Sequence, residues 1–209
     1  MKSKYENQHE RAVRILARRD RDLAQVVRNY GPPPIWVRDP GFPTLVFIIL
    51  EQQVSLASAR AANERLRGSV RRLTPRTFLK LDDKALLEIG FSRQKREYCR
   101  GLSHAIITGD LRLQGLPQQD DHGVRSALLK LRGVGNWTAD VYLMMALRRL
   151  DIWPVGDLAL QVAVQKVKRL RKRPSPERLE KLGEQWRPWR SVAARIFWHD
   201  YLSGRKSPV

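Results

Sequence analysis

A single cysteine, Cys99, occurs in the 209 residues of the chain. One thiol cannot form a disulfide within the chain, and it cannot supply the four thiolates that an iron–sulfur cluster or a structural zinc site requires. The histidines His9, His104, His122 and His199 lack the i, i+4 spacing of a helical metal site. We therefore expect no iron–sulfur cluster and no required cofactor.

Long apolar runs are also missing. The longest apolar stretch, residues 45–50, continues into the polar residues Glu51 and Gln52 and is too short to span a bilayer. No basic segment followed by an apolar one opens the chain, as it would in a secretory leader. We expect no membrane partner and an intracellular protein, in the cytoplasm or nucleoid of a bacterium or archaeon, or in the nucleus of a eukaryote.

Acidic residues are scarce relative to basic ones. The chain has 21 Asp and Glu against 40 Lys and Arg, which gives a formal net charge of +19. A polyanionic partner such as nucleic acid is the simplest reason to sustain that self-repulsion. The length allows one core or two small helical lobes, so we expect a single compact unit.

The alternation of apolar and polar residues that marks a strand occurs nowhere in the sequence. Apolar residues recur instead at helical spacing, as at Leu160, Val164 and Val167. The predicted fold class is therefore all-α. The expected helices cover residues 5–30 (as one helix or two), 45–50, 56–66, 75–79, 83–89, 93–108, 123–131, 137–150, 158–170, 176–186 and 188–202.

Two glycines, Gly133 and Gly135, lie between the helices expected at 123–131 and 137–150. Glycine lets the backbone turn sharply and direct successive N–H groups outward at a helix N-terminus, which forms an anion nest suited to a DNA phosphate. An ordinary tight connection between helices needs glycine for the same steric reason. Because the chain is strongly basic, we favour phosphate binding.

Two neighbouring segments carry a family resemblance. Residues 131–140 (LRGVGNWTAD), followed by WPVGD at 153–157, resemble the Gly/Pro-rich loop and aspartate of the helix-hairpin-helix glycosylase superfamily. Within that superfamily the chain looks like the 3-methyladenine DNA glycosylase II branch. Residues 50–55 (LEQQVS), 90–95 (GFSRQK) and 186–191 (WRPWRS) also fit this branch, in the family's order.

The resemblance implies a two-lobed, all-α fold with the active-site cleft between the lobes. One lobe would contain about residues 1–43 and 158–209, and the other about 44–157, with the hairpin at 123–150. The best-known members of the branch carry an additional N-terminal β-sheet domain, for which too few residues precede the helix expected at 45–50.

Asp157 directly precedes an expected helix, where an aspartate is commonly an N-cap. The N–H groups and the positive end of the helix dipole stabilise a negative charge there, so a capping aspartate can also face a ligand. The resemblance implies that Asp157 is the catalytic carboxylate. It would offset the positive charge that develops on the sugar as an N-glycosidic bond breaks, and orient or deprotonate the attacking water.

Aromatic side chains are suited to holding a flipped, cationic base. Trp137 is the leading candidate, since its place in the motif borders the cleft. Tyr142, Trp153, Trp189 and Trp198 are further candidates for the pocket, although core packing is the more common role for an aromatic on a helix. Trp137 also occupies the position at which lyase members of the superfamily carry a Schiff-base lysine, which implies a monofunctional enzyme.

The resemblance also implies a DNA-binding surface. A loop at residues 52–55 would fill the space that a flipped base leaves, with Gln53 as the wedge; a polar helix terminus is the alternative reading of Gln53. Arg93 and Lys95 would meet phosphates, unless they form only a solvated helix face. The candidate DNA contacts are Gln52, Gln53, Val54, Ser55, Arg93, Lys95, Arg132, Gly133, Val134, Gly135 and Thr138.

The same resemblance implies a structural Na⁺ or K⁺ ion at the hairpin, held by the backbone carbonyls of Leu129, Leu131 and Val134 and bridging to a phosphate. Leu158 and Val141 are aliphatic where some relatives place tyrosines around the pocket, which leaves the range of substrates open.

The sequence predicts a monofunctional glycosylase that removes alkylated purines from double-stranded DNA, acting as a monomer. A glycosylase for mismatched, deaminated or oxidised bases would share the scaffold and the aspartate. A non-catalytic DNA-binding protein would need the hairpin alone.

Overall fold

The computed structural model describes residues 3–204, and within them every regular element is an α-helix or a 3₁₀ turn. This confirms the predicted all-α class. The helices are α1 (Lys4–Arg19), α2 (Arg21–Tyr30), α3 (Phe42–Glu51), α4 (Leu56–Ser69), α5 (Pro75–Leu79), α6 (Asp83–Ile89), α7 (Arg93–Thr108), α8 (Asp121–Leu129), α9 (Asn136–Met145), α10 (Leu158–Val167), α11 (Pro176–Gly183) and α12 (Arg190–Ser203). The 3₁₀ turns are Leu113–Gln118 and Glu184–Trp186.

The chain forms two compact units. The central unit is Arg38–Leu147, and the terminal unit combines the described residues up to Val37 with those from Arg148 onward. The sequence placed these boundaries near 43/44 and 157/158, several residues later. They lie earlier because the Gly41 N–H donates to the Tyr142 hydroxyl at 3.1 Å, while the Ile152 N–H donates to Ser191 Oγ at 2.8 Å.

Helix α3 forms the core of the central unit. It is apolar on nearly all sides, which is typical of a helix that is surrounded by others, and it contacts α4, α7 and α9. Leu45, Ile48 and Ile49 are fully buried. Pro43 lies in its first turn, where a missing N–H costs no hydrogen bond.

Helix α12 has the same role in the terminal unit, where it contacts α1, α2 and α10. Every residue from Arg190 to Trp198 is buried. An aromatic cluster of Trp153, Trp186 and Phe197 packs with ring centroids 5.0 to 6.2 Å apart. The segment that leads into Asp157 is thereby fixed to the terminal unit.

Several helix ends differ from the sequence-based expectation for local reasons. The run expected at 5–30 is two helices, because Asp20 ends α1 and caps α2 through the N–H groups of Asp22 and Leu23. The helix expected at 137–150 ends at Met145, since the N–H groups of residues 146 and 147 both donate to the Tyr142 carbonyl. None of the helices within residues 3–204 has both the length and the apolar character that a membrane span needs.

Candidate functional site

Asp157 follows a tight turn and caps α10. The turn is closed by the Asp157 N–H, which donates to the Pro154 carbonyl at 2.9 Å. Asp157 Oδ1 accepts the Leu160 N–H at 2.6 Å, so the expected N-cap is present. The residue is only half-buried, and the Gln161 amide holds the preceding loop through the Val155 carbonyl at 2.8 Å. A rigid loop therefore presents this carboxylate at the helix N-terminus.

A second donor reaches the same oxygen from α12. The indole Nε1 of Trp198 donates to Asp157 Oδ1 at 3.0 Å. Trp198 is 8% exposed and packs edge-on against Trp36, with ring centroids 6.4 Å apart. Since both donors come from well-packed elements, the orientation of the carboxylate is fixed before any ligand arrives.

The hairpin of α8 and α9 turns at Gly133, whose φ of +86° lies in the left-handed region that favours glycine. A Cβ atom at this position would overlap the ring of Tyr98 on α7. Gly135 differs, because it has an ordinary negative φ and a Cβ there would meet open space. The first glycine is therefore a steric requirement of the fold, and the second leaves the surface open.

Helix α9 begins at Asn136 without a side-chain cap, because Gly135 occupies the N-cap position. The first N–H groups of a helix have no partner within it, and the helix dipole is positive at that end. Gly135 leaves that end open to an incoming group, since it has no side chain to shield it. This geometry is compatible with the expected anion nest for a phosphate.

Gln52 joins the loop at 52–55 to the hairpin. Its Nε2 donates to the Gly133 carbonyl at 2.8 Å and to Thr138 Oγ1 at 3.0 Å. Thr138 is only 1% exposed. Both side chains were expected to contact DNA; in the structure they hold the loop at 52–55 to the hairpin, and the DNA contacts stay predictions.

Gln53 and Val54 form the exposed tip of the same loop. Gln53 has a φ of +55°, which is uncommon for a residue other than glycine, and Val54 is 45% exposed. Ser55 caps α4 by accepting the Ser58 N–H at 3.1 Å. The tip projects between two capped helix ends, so Gln53 stays the predicted wedge.

The three basic candidates have different surroundings. Lys95 Nζ donates to the Leu50 carbonyl at 2.7 Å, and burial lowers the pKa of its ammonium. This hydrogen bond satisfies the C-terminal end of α3, and the phosphate contact of Lys95 stays a prediction. The Arg93 and Arg132 side chains are 87% and 82% exposed and share Glu97 at 3.3 and 3.7 Å. Exposed pairs of this kind are weak, so both arginines are available to an anion.

These segments surround a groove of about 680 Å³ in the central unit, which we call the hairpin groove. Its polar lining comes from the tip loop, the start of α7 and the hairpin turn. The lining includes Gln52, Gln53, Lys95, Tyr98, Gly133 and Gly135. Sequence reasoning brought most of these residues together but missed Tyr98, whose proximity to Gly133 is a contact between distant parts of the chain.

The pocket aromatics fall into two groups. Tyr142 is fully buried, and burial raises the pKa of its phenol. Trp153 is 4% exposed, donates to the Leu179 carbonyl at 2.8 Å and lies against Gly183. Both belong to the cores of their units, so the structure lends no support to their assignment to the pocket. Trp137 and Trp189 are half-buried and stay candidates.

The carbonyls expected to bind a cation lie at the C-terminal end of α8 and in the turn that follows. Leu131 O accepts the Val134 N–H at 3.1 Å, and a carbonyl has a second lone pair. Neutral oxygens at the negative end of a helix dipole fit Na⁺ or K⁺. Within residues 3–204, no three His, Cys, Asp or Glu side chains are grouped to hold a metal ion.

Residues 46–188 match the family of HhH-GPD superfamily base excision DNA repair proteins, and the chain belongs to this superfamily. The match covers the hairpin, the tip loop and Asp157. It confirms the resemblance that the sequence motifs indicated.

Two relatives share most of the chain. The putative DNA-3-methyladenine glycosylase YfjP of Bacillus subtilis (strain 168) is 27% identical over 184 residues, which are 84% of this chain and 64% of the relative. The chain thus spans less than two thirds of the length of YfjP. The alkylbase DNA glycosidase-like protein mag2 of Schizosaccharomyces pombe is 24% identical over 200 residues, which are 92% of this chain and 94% of that protein.

Solved structures share the fold. The 3-methyladenine DNA glycosylase Mag1 of Schizosaccharomyces pombe, in complex with abasic DNA, matches with a TM-score of 0.83 at 24% identity, over 90% of this chain and 95% of that one. The DNA-3-methyladenine glycosidase of Bacillus halodurans matches with a TM-score of 0.76 at 27% identity, over 94% and 91%.

Proposed function

We propose that this protein is a DNA glycosylase that hydrolyses the N-glycosidic bond of alkylated purines, of the 3-methyladenine and 7-methylguanine type, in double-stranded DNA. The observation that carries the proposal is Asp157, a half-buried carboxylate that two packed donors orient at the start of α10. The names of the two relatives and the basic charge of the chain support the same substrate class.

In the proposed reaction, the bond between the sugar C1′ and the purine nitrogen breaks, and its electron pair leaves with the base. An alkylated purine already carries a positive charge, so it departs as a neutral molecule without a general acid. Asp157 stabilises the oxocarbenium ion that develops, and a water oxygen then bonds to C1′. The proton of that water passes to Asp157 or to solvent, leaving an abasic site.

The two donors to Asp157 Oδ1 have separate roles in this mechanism. The Leu160 N–H belongs to the helix end and stabilises the negative charge. The Trp198 indole sets the angle of the carboxylate, since it contacts the same oxygen from another helix. Trp198 therefore acts as a positioning residue, and its limited exposure argues against stacking on a base.

DNA binding is proposed for the hairpin groove. The open N-terminus of α9 and the exposed Arg93 and Arg132 would meet phosphates, while Gln53 and Val54 would enter the duplex. These phosphate contacts position the duplex without reading its sequence. A Na⁺ or K⁺ ion at the carbonyls of Leu129, Leu131 and Val134 would add positive charge beside the same phosphates.

The absence of lyase activity is a further part of the proposal. Strand cleavage through a Schiff base needs an amine at the sugar, and the indole of Trp137 offers none at the position where lyase relatives have lysine. The product is then an intact strand with an abasic site. Gel analysis of the product before and after alkali tests this directly.

The decisive experiment is single-turnover base release from duplexes that contain 3-methyladenine, 7-methylguanine, hypoxanthine or 1,N6-ethenoadenine. The wild type is compared with Asp157→Asn, which keeps the size and capping ability of the side chain but removes its charge. Release of methylated bases by the wild type alone, with equal DNA binding, supports the proposal. Release of hypoxanthine only would indicate a deaminated-base enzyme, and binding without release would indicate a non-catalytic protein.

A further inference from the structure

A second groove lies in the central unit, at the far end of the α3–α4 pair. It encloses about 670 Å³ and is lined by three arginines, Arg67, Arg71 and Arg72, together with prolines that include Pro40 and Pro75. We call it the arginine groove. None of its lining residues belongs to the hairpin groove.

The three arginines lack a close counter-charge. Among the residues that the structure describes, their side chains make no hydrogen bond and no ion pair, and no acidic residue lines the groove. Other arginines of the central unit do have partners. These are Arg38 with Glu51, Arg65 with the Ile89 carbonyl, Arg96 and Arg100 with Asp83, and Arg125 with Asp140. Within residues 3–204, Arg60, Arg76 and Arg112 of the same unit lack such a partner as well, so the groove is distinguished by bringing three unpaired guanidinium groups together.

The backbone that carries two of these arginines is held in place. Thr74 and Thr77 cap each other, with N–H to Oγ1 distances of 2.8 and 3.1 Å. The Thr77 hydroxyl also donates to the Arg72 carbonyl at 2.7 Å, and Leu73 is buried. Because the turn is already ordered, binding an anion there would cost little additional backbone entropy.

The position of the groove indicates what the anion is. The hairpin groove includes the loop that joins α3 to α4, whereas the arginine groove includes Phe42, in the first turn of α3, and Val70, just past the end of α4. Helix α4 has 14 residues and is about 21 Å long. Phosphates of one strand are about 3.4 Å apart along the axis, so this length corresponds to roughly six base pairs.

We propose that the arginine groove binds the phosphate backbone of the same DNA duplex, about six base pairs from the lesion. The inference rests on the proposed DNA binding at the hairpin groove. Guanidinium groups bind phosphates well, and contacts to backbone phosphates do not depend on the base sequence of the DNA. The contact would lengthen the footprint on DNA without taking part in base removal.

The test compares duplexes of about 8 and about 25 base pairs that carry an abasic-site analogue at the centre. The short duplex extends about four base pairs on each side of the lesion, so only the long one reaches the arginine groove about six base pairs away. Their dissociation constants are measured as a function of KCl concentration for the wild type and for R71Q/R72Q. We expect the double variant to bind the long duplex roughly ten- to a hundred-fold more weakly near 0.1 M salt, with a salt slope smaller by about two. Binding of the short duplex should not change.

The matched control is R112Q/K84Q, which removes two exposed charges of the central unit outside either groove. Equal losses in the control and the test variant, or equal losses on both duplexes, would overturn the proposal. A third probe is a polyglutamate peptide. If R71Q/R72Q loses affinity for the peptide but keeps its affinity for the long duplex, the ligand of the arginine groove is an acidic protein and not DNA.

Base release from a short damaged duplex separates this inference from the proposed function. We expect R71Q/R72Q to release methylated bases from it at the wild-type rate. If the wild type binds DNA but releases no base, the proposed glycosylase activity is refuted. The salt slopes then still show whether the arginine groove binds DNA. A wild type that binds neither duplex overturns both proposals.

Discussion

The indole N–H of Trp198 donates to the carboxylate oxygen of Asp157, 41 positions earlier in the chain, at 3.0 Å. The same oxygen accepts the Leu160 N–H, so two helices fix one carboxylate. In the proposed reaction, this contact lets Trp198 orient the carboxylate without lying against the base.

Replacing Trp198 by Phe removes the donor and keeps an aromatic ring. A hydrogen bond to a charged group contributes about 1.5–3 kcal/mol, so we expect the single-turnover rate constant to fall by roughly ten- to a hundred-fold. DNA affinity should change little. Trp36→Phe is the control, because Trp36 packs against Trp198 through its ring; similar rates for the two variants would remove the positioning role.

Asp157 caps α10 and is the proposed catalytic carboxylate, and substitutions can separate the two roles. Asp157→Ala removes the N-cap of α10 and should lower the free energy of unfolding by about 1 kcal/mol. Asp157→Ser keeps a capping oxygen and should restore most of that stability, while both variants lose base release. Urea titrations and single-turnover assays on the same preparations measure the two effects. Base release by Asp157→Ser near the wild-type rate would exclude a catalytic carboxylate at this position.

The two hairpin glycines should respond differently to alanine. Gly133→Ala meets the Tyr98 ring and a left-handed φ, so we expect a loss of about 2 kcal/mol or more in the free energy of unfolding. Gly135→Ala has open space and an ordinary φ. It should fold normally and weaken DNA binding at the start of α9. Equal stability of the two variants would contradict this account of the turn.

Neighbouring glutamines provide a further contrast. Gln52→Ala loses the bonds to the Gly133 carbonyl and Thr138 and should lower the stability of the central unit by roughly 1–2 kcal/mol. Gln53→Ala removes an exposed side chain and should leave stability unchanged. If Gln53 is the wedge, its removal slows base flipping, which a fluorescent base analogue beside the lesion would report. An unchanged flipping rate would mean that Val54 or the backbone of the loop, and not Gln53, acts as the wedge.

The fold could be read from local sequence because its helices have local signals. The bounds of α5, α6 and α7 follow from Pro75, Asp82 and Ser92 at their starts and from Gly90 and Gly109 after two of them. Helix α9 was expected to be longer, since nothing in residues 146–150 forbids a helix. Its end depends on two N–H groups that share the Tyr142 carbonyl.

Side-chain roles in the site were harder to predict. Asp157 and the two glycines follow from motif positions, whereas the partners of Gln52, Lys95 and Trp153 lie far away in sequence. For Lys95 the sequence offers a phosphate contact or a solvated helix face, because a lysine at the start of a helix suits both. Only the packing of α7 beside α3 shows that its ammonium caps the end of α3.

The pH dependence of stability should show the buried His9. Burial, with a contribution from Arg195, lowers the pKa of His9 to about 4 from an ordinary value of 6.5. The unfolded chain therefore binds a proton between these values while the folded protein does not. Stability should fall as the pH drops from 6.5 to about 4, with a slope of at most about 1.4 kcal/mol per pH unit from this residue.

His9→Leu has no proton to bind and should reduce that slope, whatever its effect on stability at neutral pH. Urea unfolding at intervals across this range measures the slope for both proteins. Asp20, paired with Lys168, titrates lower: burial would raise the pKa of its carboxyl, but hydrogen bonds from Lys168 and Trp186 outweigh burial and lower it. Its contribution is thus lost only at more acidic pH. Parallel slopes for the wild type and His9→Leu would show that His9 keeps an ordinary pKa in the folded protein.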